Sequence, residues 1–186
     1  MAVDHELVVR AQRGDVDAFS ALTVGRTGRL YATARLILRD DDRAADAVQD
    51  ALFEAWRNLR ALRDPDRFDA WLHRVLVHSC YRAAKRDRAR VVAEIRVAQD
   101  GDTTADTQRA VAQRDQLERA FRRLTTDQRT VLVLRHYVGL TLVEAADAMG
   151  VPLGTFQSRL NRATQAMRAS LEADERAADL APEAAS

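Results

Sequence analysis

Apolar residues recur at alternating spacings of three and four along most of the chain, which is the period of amphipathic α-helices and not of β-strands. The helices predicted from this period cover residues 4–13, 17–38, 40–59, about 67–90, 110–124 and 131–138, with two more from residue 141 on. Gly25 and Gly28 fall inside the second pattern and leave its continuity open. The pattern as a whole predicts an all-α fold.

The last two predicted helices are joined by a short turn. Thr141 can cap the first of them, since Glu144 stands three residues later, as a capping box requires. Gly150 is expected to end that helix in a left-handed backbone conformation. Residues 151–154 are then predicted to form the turn, and Thr155 to begin the second helix. This layout predicts a helix-turn-helix.

The second of these helices has an apolar face and a polar face. The apolar positions are Phe156, Leu160, Ala163, Met167 and Leu171. The polar face carries side chains of the kinds that hydrogen-bond base edges and phosphates in a DNA major groove. The candidate DNA contacts on it are Thr155, Gln157, Ser158, Arg159, Asn161 and Arg162. An ordinary helical hairpin with a solvated polar face is the alternative that this motif alone leaves open.

An acidic stripe runs along the predicted helix over 40–59. Asp46, Asp50 and Glu54 are each four residues apart, and Gln49 lies beside them. Such a stripe is most often a solvated helix face, and the spacing alone favours that interpretation. The functional alternative is a docking surface for a basic partner helix.

A basic stripe with an aromatic residue at its head follows on the long helix over about 67–90. Its members are Trp71, Arg74, His78, Arg82 and Lys85, and Arg86 continues the basic run. Cations can hold phosphates and rings can stack on unpaired bases, so the stripe favours single-stranded or melting DNA as its ligand. The alternative places Trp71 in the core and leaves the arginines as a solubilising surface.

The periodic segments divide the chain into two small helical domains. Residues 91–108 sustain no helical period and are predicted to form a flexible linker between a domain over 1–90 and a helix-turn-helix domain over 109–173. Residues 174–186 are polar and rich in alanine, and we expect a disordered tail there.

Composition narrows the class of protein. The formal net charge of the 186 residues is only +1, so nucleic-acid binding has to come from local basic patches. The single cysteine, Cys80, cannot form an intrachain disulfide, and no apolar run is long enough to cross a bilayer. We therefore expect a cytoplasmic protein without membrane insertion. No catalytic constellation, metal-ligand spacing or phosphate-binding loop is evident, so we expect no enzyme activity, cofactor, metal site or small-molecule substrate.

Three segments together resemble one known family, the extracytoplasmic-function sigma factors of bacterial RNA polymerase. DDRAADAVQDALFEAWRNL is similar to the family's core-polymerase-binding segment, and DPDRFDAWLHRVLVHSCYRAAKR to its promoter-melting and minus-ten-reading segment. VPLGTFQSRLNRA resembles its minus-thirty-five recognition helix. The resemblance covers roughly residues 17–172, with the segments in the family's order.

The resemblance implies roles for the residues singled out above. The acidic stripe, with Asp46, Gln49, Asp50 and Glu54, would bind the clamp helices of the polymerase's largest subunit. The turn between Leu62 and Phe68 would capture a flipped minus-ten base. The basic stripe would melt and read the minus-ten promoter element, and the polar face of the last helix would read the minus-thirty-five element. The partners implied are core RNA polymerase, promoter DNA and an anti-sigma factor.

The chain departs from the family's pattern at three positions. His78 stands where Asn is frequent, Gln157 where Lys or Arg is common, and Thr125 where Pro is frequent. The base preference near His78 is therefore open, and one phosphate or base contact is absent at Gln157. Two other functions stay as alternatives: a stand-alone helix-turn-helix regulator, and a helical adaptor that binds only proteins.

Overall fold

The computed structural model describes residues 2–94 and 110–179, and within these residues the fold is all-α, as predicted. The helices are α1 (Ala2–Gln12), α2 (Val16–Leu38), α3 (Asp41–Asn58), α4 (Phe68–Glu94), α5 (Ala110–Arg122), α6 (Thr126–Leu132), α7 (Leu142–Met149) and α8 (Leu153–Asp179). Two short 3₁₀ segments, Leu59–Ala61 and Pro65–Arg67, connect α3 to α4, and α6 continues as a π-helical segment, Val133–Val138.

The helices α1 to α4 form an N-terminal bundle. The side chain of Asp15 caps α2, and the side chain of Asp40 caps α3. The helix α2 is unbroken through Gly25 and Gly28, because packing of its apolar side outweighs the weak helix propensity of glycine. The buried face of α3 is lined mainly by alanines, which allows its neighbours α2 and α4 to approach closely.

The apolar face that the helical period predicts for α3 agrees only partly with the buried one. The predicted positions are Ala45, Val48, Leu52, Ala55 and Leu59. Ala45 is exposed, and the buried positions are Ala44, Ala47, Val48, Ala51 and Ala55. The chain has alanine at so many positions of α3 that hydrophobicity alone does not distinguish the buried ones. The predicted acidic stripe is unaffected, since it lies on the side of α3 that faces away from the core.

The C-terminal domain owes its helix boundaries to local capping. Capping boxes begin α6, at Thr125 and Gln128, and α7, at Thr141 and Glu144. Gly150 ends α7 with φ of 65°, a left-handed conformation that favours glycine. The helix α8 begins at Leu153 and not at Thr155, so the connecting turn is two residues shorter than predicted. The Phe156 N–H donates to the Pro152 carbonyl at 3.0 Å, which places residues 153–155 in the first helical turn.

The helix α8 also runs further than the sequence indicates, since it continues to Asp179. The prediction of a disordered tail from residue 174 is therefore wrong for residues 174–179, and residues 180–186 lie outside the described part of the chain. Asp174 is the physical reason, because its largely buried carboxylate lies 2.7 Å from the Arg123 guanidinium and 3.6 Å from that of Arg119. These ion pairs hold the last turns of α8 against α5.

The predicted linker is only partly within the described residues. Residues 91–94 continue α4, and residues 95–109 lie outside the described ranges. In α5, the helical period of the sequence predicts Leu117 on the apolar face together with Phe121 and Leu124, yet Leu117 is 52% exposed.

The two domains pack against each other, and two arginine side chains join them, of which Arg129 is buried and Arg29 exposed. Arg129 of α6 donates to the Ile37 carbonyl near the end of α2 at 2.8 Å. In return, Arg29 of α2 donates to the Val138 carbonyl at 2.9 Å. Burial lowers the pKa of Arg129 to about 10, so the guanidinium keeps its charge at neutral pH. Each arginine thus satisfies a carbonyl at the end of a helical segment in the other domain.

Cys80 lies in the core of the N-terminal bundle, with 1% of its surface exposed, and burial raises the pKa of its thiol to about 12. We expect iodoacetamide to alkylate the native chain about 100- to 1,000-fold more slowly than the chain in guanidinium chloride, because the thiolate is the nucleophile. Mass spectrometry of the alkylated protein measures both rates. Equal rates would place the thiol at the surface, and Cys80→Ala provides the blank, since the chain has no other cysteine.

Candidate nucleic-acid interface

The polar face of α8 is open to solvent. Gln157, Ser158, Asn161 and Arg162 are exposed, whereas Phe156 on the opposite face is fully buried. The hydroxyl of Ser158 donates to the Thr155 carbonyl at 2.9 Å. Among the described residues, Gln157 and Asn161 form no side-chain hydrogen bond, so their amides are available to a ligand. This face of α8 can enter a major groove without repacking.

Two of the side chains on α8 that were predicted to contact DNA are less exposed than the sequence suggested. Thr155 is half-buried in the first turn. Arg159 is also half-buried, and its guanidinium lies 3.7 Å from the carboxylate of Asp127 at the start of α6. Arg159 therefore has a partner within the protein, and a phosphate would have to compete with Asp127 for it.

The basic stripe of α4 is exposed over most of its length. Arg74, His78, Arg82, Lys85 and Arg86 all reach solvent. Partial burial lowers the pKa of His78, and the positive charges of Arg74 and Arg82 lower it further. His78 is therefore neutral at neutral pH and can both donate and accept a hydrogen bond.

Trp71, at the head of the stripe, is half-buried. Its ring lies 6.1 Å from that of Phe68, between centroids, and it lines a small groove of about 150 Å³ together with Arg74. The far wall of this groove is α7, with the carboxylates of Glu144 and Asp147. The structure thus places the aromatic head of the basic stripe against the C-terminal domain.

The turn between α3 and α4 is braced from α1. The side-chain amide of Gln12 donates to the carbonyls of Leu59 at 3.1 Å and Leu62 at 2.7 Å. At the tip of the turn, the carboxylate of Asp66 lies 3.0 Å from the His5 imidazole. Leu62 and Phe68 are buried and fix the two ends of the turn, so the exposed residues between them are presented on a supported loop.

The acidic stripe of α3 lies beside the basic stripe of α4. Asp46 and Gln49 are exposed, but Asp50 and Glu54 are paired. The Glu54 carboxylate lies 2.8 Å from Arg82, and the Asp50 carboxylate lies 3.0 Å from Arg86. Two surfaces that the sequence suggests are separate are therefore in direct contact.

One exposed aromatic residue next to these pairs was missed in the sequence. Phe53 is 61% exposed, and the Arg57 guanidinium lies 5.6 Å from the centroid of its ring. It lines an open groove of about 630 Å³ between α3 and α4, together with both ion pairs. The sequence did contain a signal for it, because position 53 lies outside the apolar face that the helical period predicts for α3.

Two family models match the chain, one on each domain. The model of Sigma-70 region 2 matches residues 26–90, and the model of Sigma-70 region 4 matches residues 114–167. The first match contains both the acidic and the basic stripe, and the second contains the helix-turn-helix. Residues 91–113, between the two matches, belong to neither.

Curated relatives match along most of the chain. An ECF RNA polymerase sigma factor of Mycobacterium tuberculosis, SigM, is 34% identical over 161 residues, which cover 86% of this chain and 80% of the relative. The RNA polymerase sigma-H factor of Pseudomonas aeruginosa is 30% identical over 189 residues, which cover 91% of this chain and 94% of that protein.

Two solved structures are similar over nearly their whole length. The sigma factor RpoE of Bartonella quintana, in complex with the anti-sigma factor NepR, matches with a TM-score of 0.70 and 25% identity, over 86% of this chain and 99% of that one. CnrH, in complex with the cytosolic domain of CnrY, matches with a TM-score of 0.64 and 28% identity, over 92% and 99%.

Proposed function

Because the chain belongs to the extracytoplasmic-function sigma factors of RNA polymerase, we propose that three of its surfaces divide the work of promoter recognition. As a sigma factor it binds core RNA polymerase, directs it to promoters and helps to open the duplex. The observation that carries the assignment is the placement of the matched regions. The region 2 match holds both charged stripes, and the region 4 match holds the exposed face of α8.

The first surface is the acidic stripe, which we assign to the clamp helices of the polymerase's largest subunit. Asp46 and Gln49 are exposed on α3, and Asp50 and Glu54 lie on the same side one and two turns further on. Carboxylates and an amide along one helix complement a basic partner helix. The exposed ring of Phe53 adds apolar area beside them.

The second surface reads and melts the minus-ten element. We assign to it the supported turn between Leu62 and Phe68 and the basic stripe: Trp71, Arg74, His78, Arg82, Lys85 and Arg86. Unstacking a base step costs on the order of a few kcal/mol, and stacking an unpaired base on an aromatic ring returns roughly 1–3 kcal/mol. Trp71 has to separate from the α7 side of its groove before a base can stack on it.

The third surface is the exposed face of α8, which we assign to the minus-thirty-five element. Thr155, Gln157, Ser158, Arg159, Asn161 and Arg162 lie on it. Gln157 and Asn161 suit adenine edges, and Arg162 suits guanine or phosphate. The amide of Gln157 replaces a cation frequent in the family, so base reading contributes relatively more at that position than phosphate attraction.

The remaining assignments follow from these three. Domain boundaries at residues 90 and 109 separate the minus-ten unit from the minus-thirty-five unit, with the linker between them. The chain works without a catalytic site of its own, and its site of action is the cytoplasm, where polymerase and promoter DNA are. An anti-sigma factor is a further partner, by analogy with the RpoE–NepR complex. Within the described residues, no helix has the length and apolar character to span a membrane.

The experiment that tests the proposal is co-elution with purified bacterial core RNA polymerase on a sizing column. Stoichiometric co-elution is expected. A stand-alone helix-turn-helix regulator would leave the polymerase peak unchanged and would bind duplex DNA tightly without it. Absence of co-elution, with a core preparation that accepts another sigma factor, would overturn the assignment.

Substitution of Arg162 by alanine is expected to weaken promoter recognition by the holoenzyme roughly 5- to 150-fold, since one base contact contributes about 1–3 kcal/mol. Its guanidinium is exposed and bonds only to the Ser158 carbonyl, at 3.3 Å, among the described residues. Filter binding to a cognate promoter measures the effect. Arg168→Ala, on the same helix beyond the assigned face, is the matched control, and an equal loss for both would remove Arg162 from the recognition surface.

A further inference from the structure

We propose that the two ion pairs between α3 and α4 couple polymerase binding to DNA binding, so that the free chain holds part of its minus-ten surface neutralised until the polymerase clamp takes the carboxylates. The proposal rests on the function proposed above, since it joins two of the surfaces assigned there. It adds that Asp50 and Glu54 have a second role, as internal competitors of DNA phosphates.

The geometry is a two-rung ladder across antiparallel helices. Asp50 and Glu54 are one turn apart on α3, and their partners Arg86 and Arg82 are one turn apart on α4 in the opposite order. The rungs measure 3.0 Å and 2.8 Å between nitrogen and oxygen. The Arg82 guanidinium also donates to the Ser79 hydroxyl at 2.8 Å, which fixes it on the α3 side. Both arginines therefore point toward α3.

All four side chains of the ladder are partly exposed to solvent. The side chains of Arg82 and Glu54 are 45% and 37% exposed, and those of Arg86 and Asp50 are 68% and 46% exposed. It borders the open groove of about 630 Å³ that Phe53 lines, so a partner can reach the carboxylates without unfolding α3. Exposed pairs of this kind hold weakly and exchange readily. A competing partner can therefore separate them.

Charge complementarity identifies that partner. A polymerase helix that places its own cations on Asp50 and Glu54 satisfies the carboxylates from outside. Arg82 and Arg86 then lose their neutralising partners and become available to phosphates of the promoter strand. The physical consequence is that DNA binding by α4 is weak in the free chain and stronger in the holoenzyme.

A double-mutant cycle on DNA binding by the full-length chain alone tests this. The probe is a fluorescein-labelled single-stranded DNA of mixed sequence at low salt, read by fluorescence anisotropy. Arg82→Gln is compared in two backgrounds, the unchanged chain and Glu54→Gln. We expect the substitution to weaken DNA binding by less than about 2-fold in the unchanged chain and by about 3- to 10-fold in the Glu54→Gln background, where the arginine is free to contact a phosphate.

The second rung gives an independent cycle, Arg86→Gln against Asp50→Asn. The carboxylate variant Asp50→Asn/Glu54→Gln should also bind DNA more tightly than the unchanged chain, and the slope of log affinity against log salt should steepen by up to about 1.4, since each phosphate contact to a single strand contributes about 0.7. The control Asp17→Asn/Asp42→Asn removes the same charge from two exposed carboxylates that form no ion pair among the described residues. Circular dichroism verifies that each variant keeps its helices.

The results of these cycles distinguish a failure of the coupling from a failure of the proposed minus-ten function. Equal losses from Arg82→Gln in both backgrounds would overturn the coupling and leave the basic stripe as a DNA surface. No loss in either background for both arginines would overturn the coupling together with the minus-ten assignment of these two residues. If Glu54→Gln lowers helix content, Glu54→Ala replaces it and the same comparison decides.

Discussion

The Phe156→Ala variant is expected to lose about 3–5 kcal/mol of unfolding free energy, which is the usual cost of removing a fully buried phenylalanine. Phe156 is 0% exposed and has the largest fully buried side chain within residues 2–94 and 110–179. It lies in the first turns of α8 and belongs to the core shared by α6, α7 and α8. A cavity there removes the contacts that hold the recognition helix at its angle to α7.

Urea denaturation followed by circular dichroism measures the loss. Leu153→Ala is the matched control, because Leu153 is in the same turn of α8 but is 41% exposed, and its substitution should change the unfolding free energy by at most about 0.5 kcal/mol. A loss below about 1 kcal/mol for Phe156→Ala would mean that α8 is not anchored through this residue.

Charge reversal of the acidic stripe, Asp50→Lys/Glu54→Lys, is expected to weaken binding to core RNA polymerase more than about 100-fold. Loss of a buried charge pair at an interface costs about 2–5 kcal/mol, and like charges placed opposite each other add repulsion. The variant also places two lysines beside Arg82 and Arg86. All four original side chains are at least 37% exposed, so the fold should tolerate the change with little loss of stability.

A competition assay measures this effect, with labelled unchanged chain displaced from core polymerase by each variant. Glu6→Lys/Glu172→Lys is the control, since it makes the same charge change at two exposed positions of α1 and α8. Displacement by the Asp50→Lys/Glu54→Lys variant at the same concentration as the unchanged chain would remove the acidic stripe from the interface.

Features that depend on nearby residues were predictable from the sequence. The capping box of Thr141 and Glu144 and the left-handed Gly150 require only residues within one turn of each other, and the structure has both. The start of α8 was predicted two residues late. The Pro152 carbonyl accepts the first helical hydrogen bond, and a sequence with proline at this position is compatible with either a turn or the first turn of a helix. The all-α class followed from the period alone.

Features that depend on tertiary contacts were not predictable. Nothing in the sequence pairs Arg82 with Glu54, because the contact exists only once α3 and α4 lie antiparallel at close range. The extension of α8 to Asp179 depends in the same way on Arg123, which directly follows the end of α5. The spacing of the acidic stripe favoured a solvated helix face, and the family resemblance favoured a docking surface. Neither interpretation predicts that the stripe forms ion pairs with α4.

Transcription in vitro tests whether the chain directs core RNA polymerase to promoters of its own. Core polymerase from the bacterium that encodes this chain is given that organism's fragmented genomic DNA, with and without the chain, and transcript starts are sequenced. We expect transcript starts that require the chain and share two upstream elements, near minus ten and minus thirty-five. The Arg162→Ala variant should lose the dependence on the second element. Identical transcripts with and without the chain, from a core that responds to another sigma factor, would contradict this expectation.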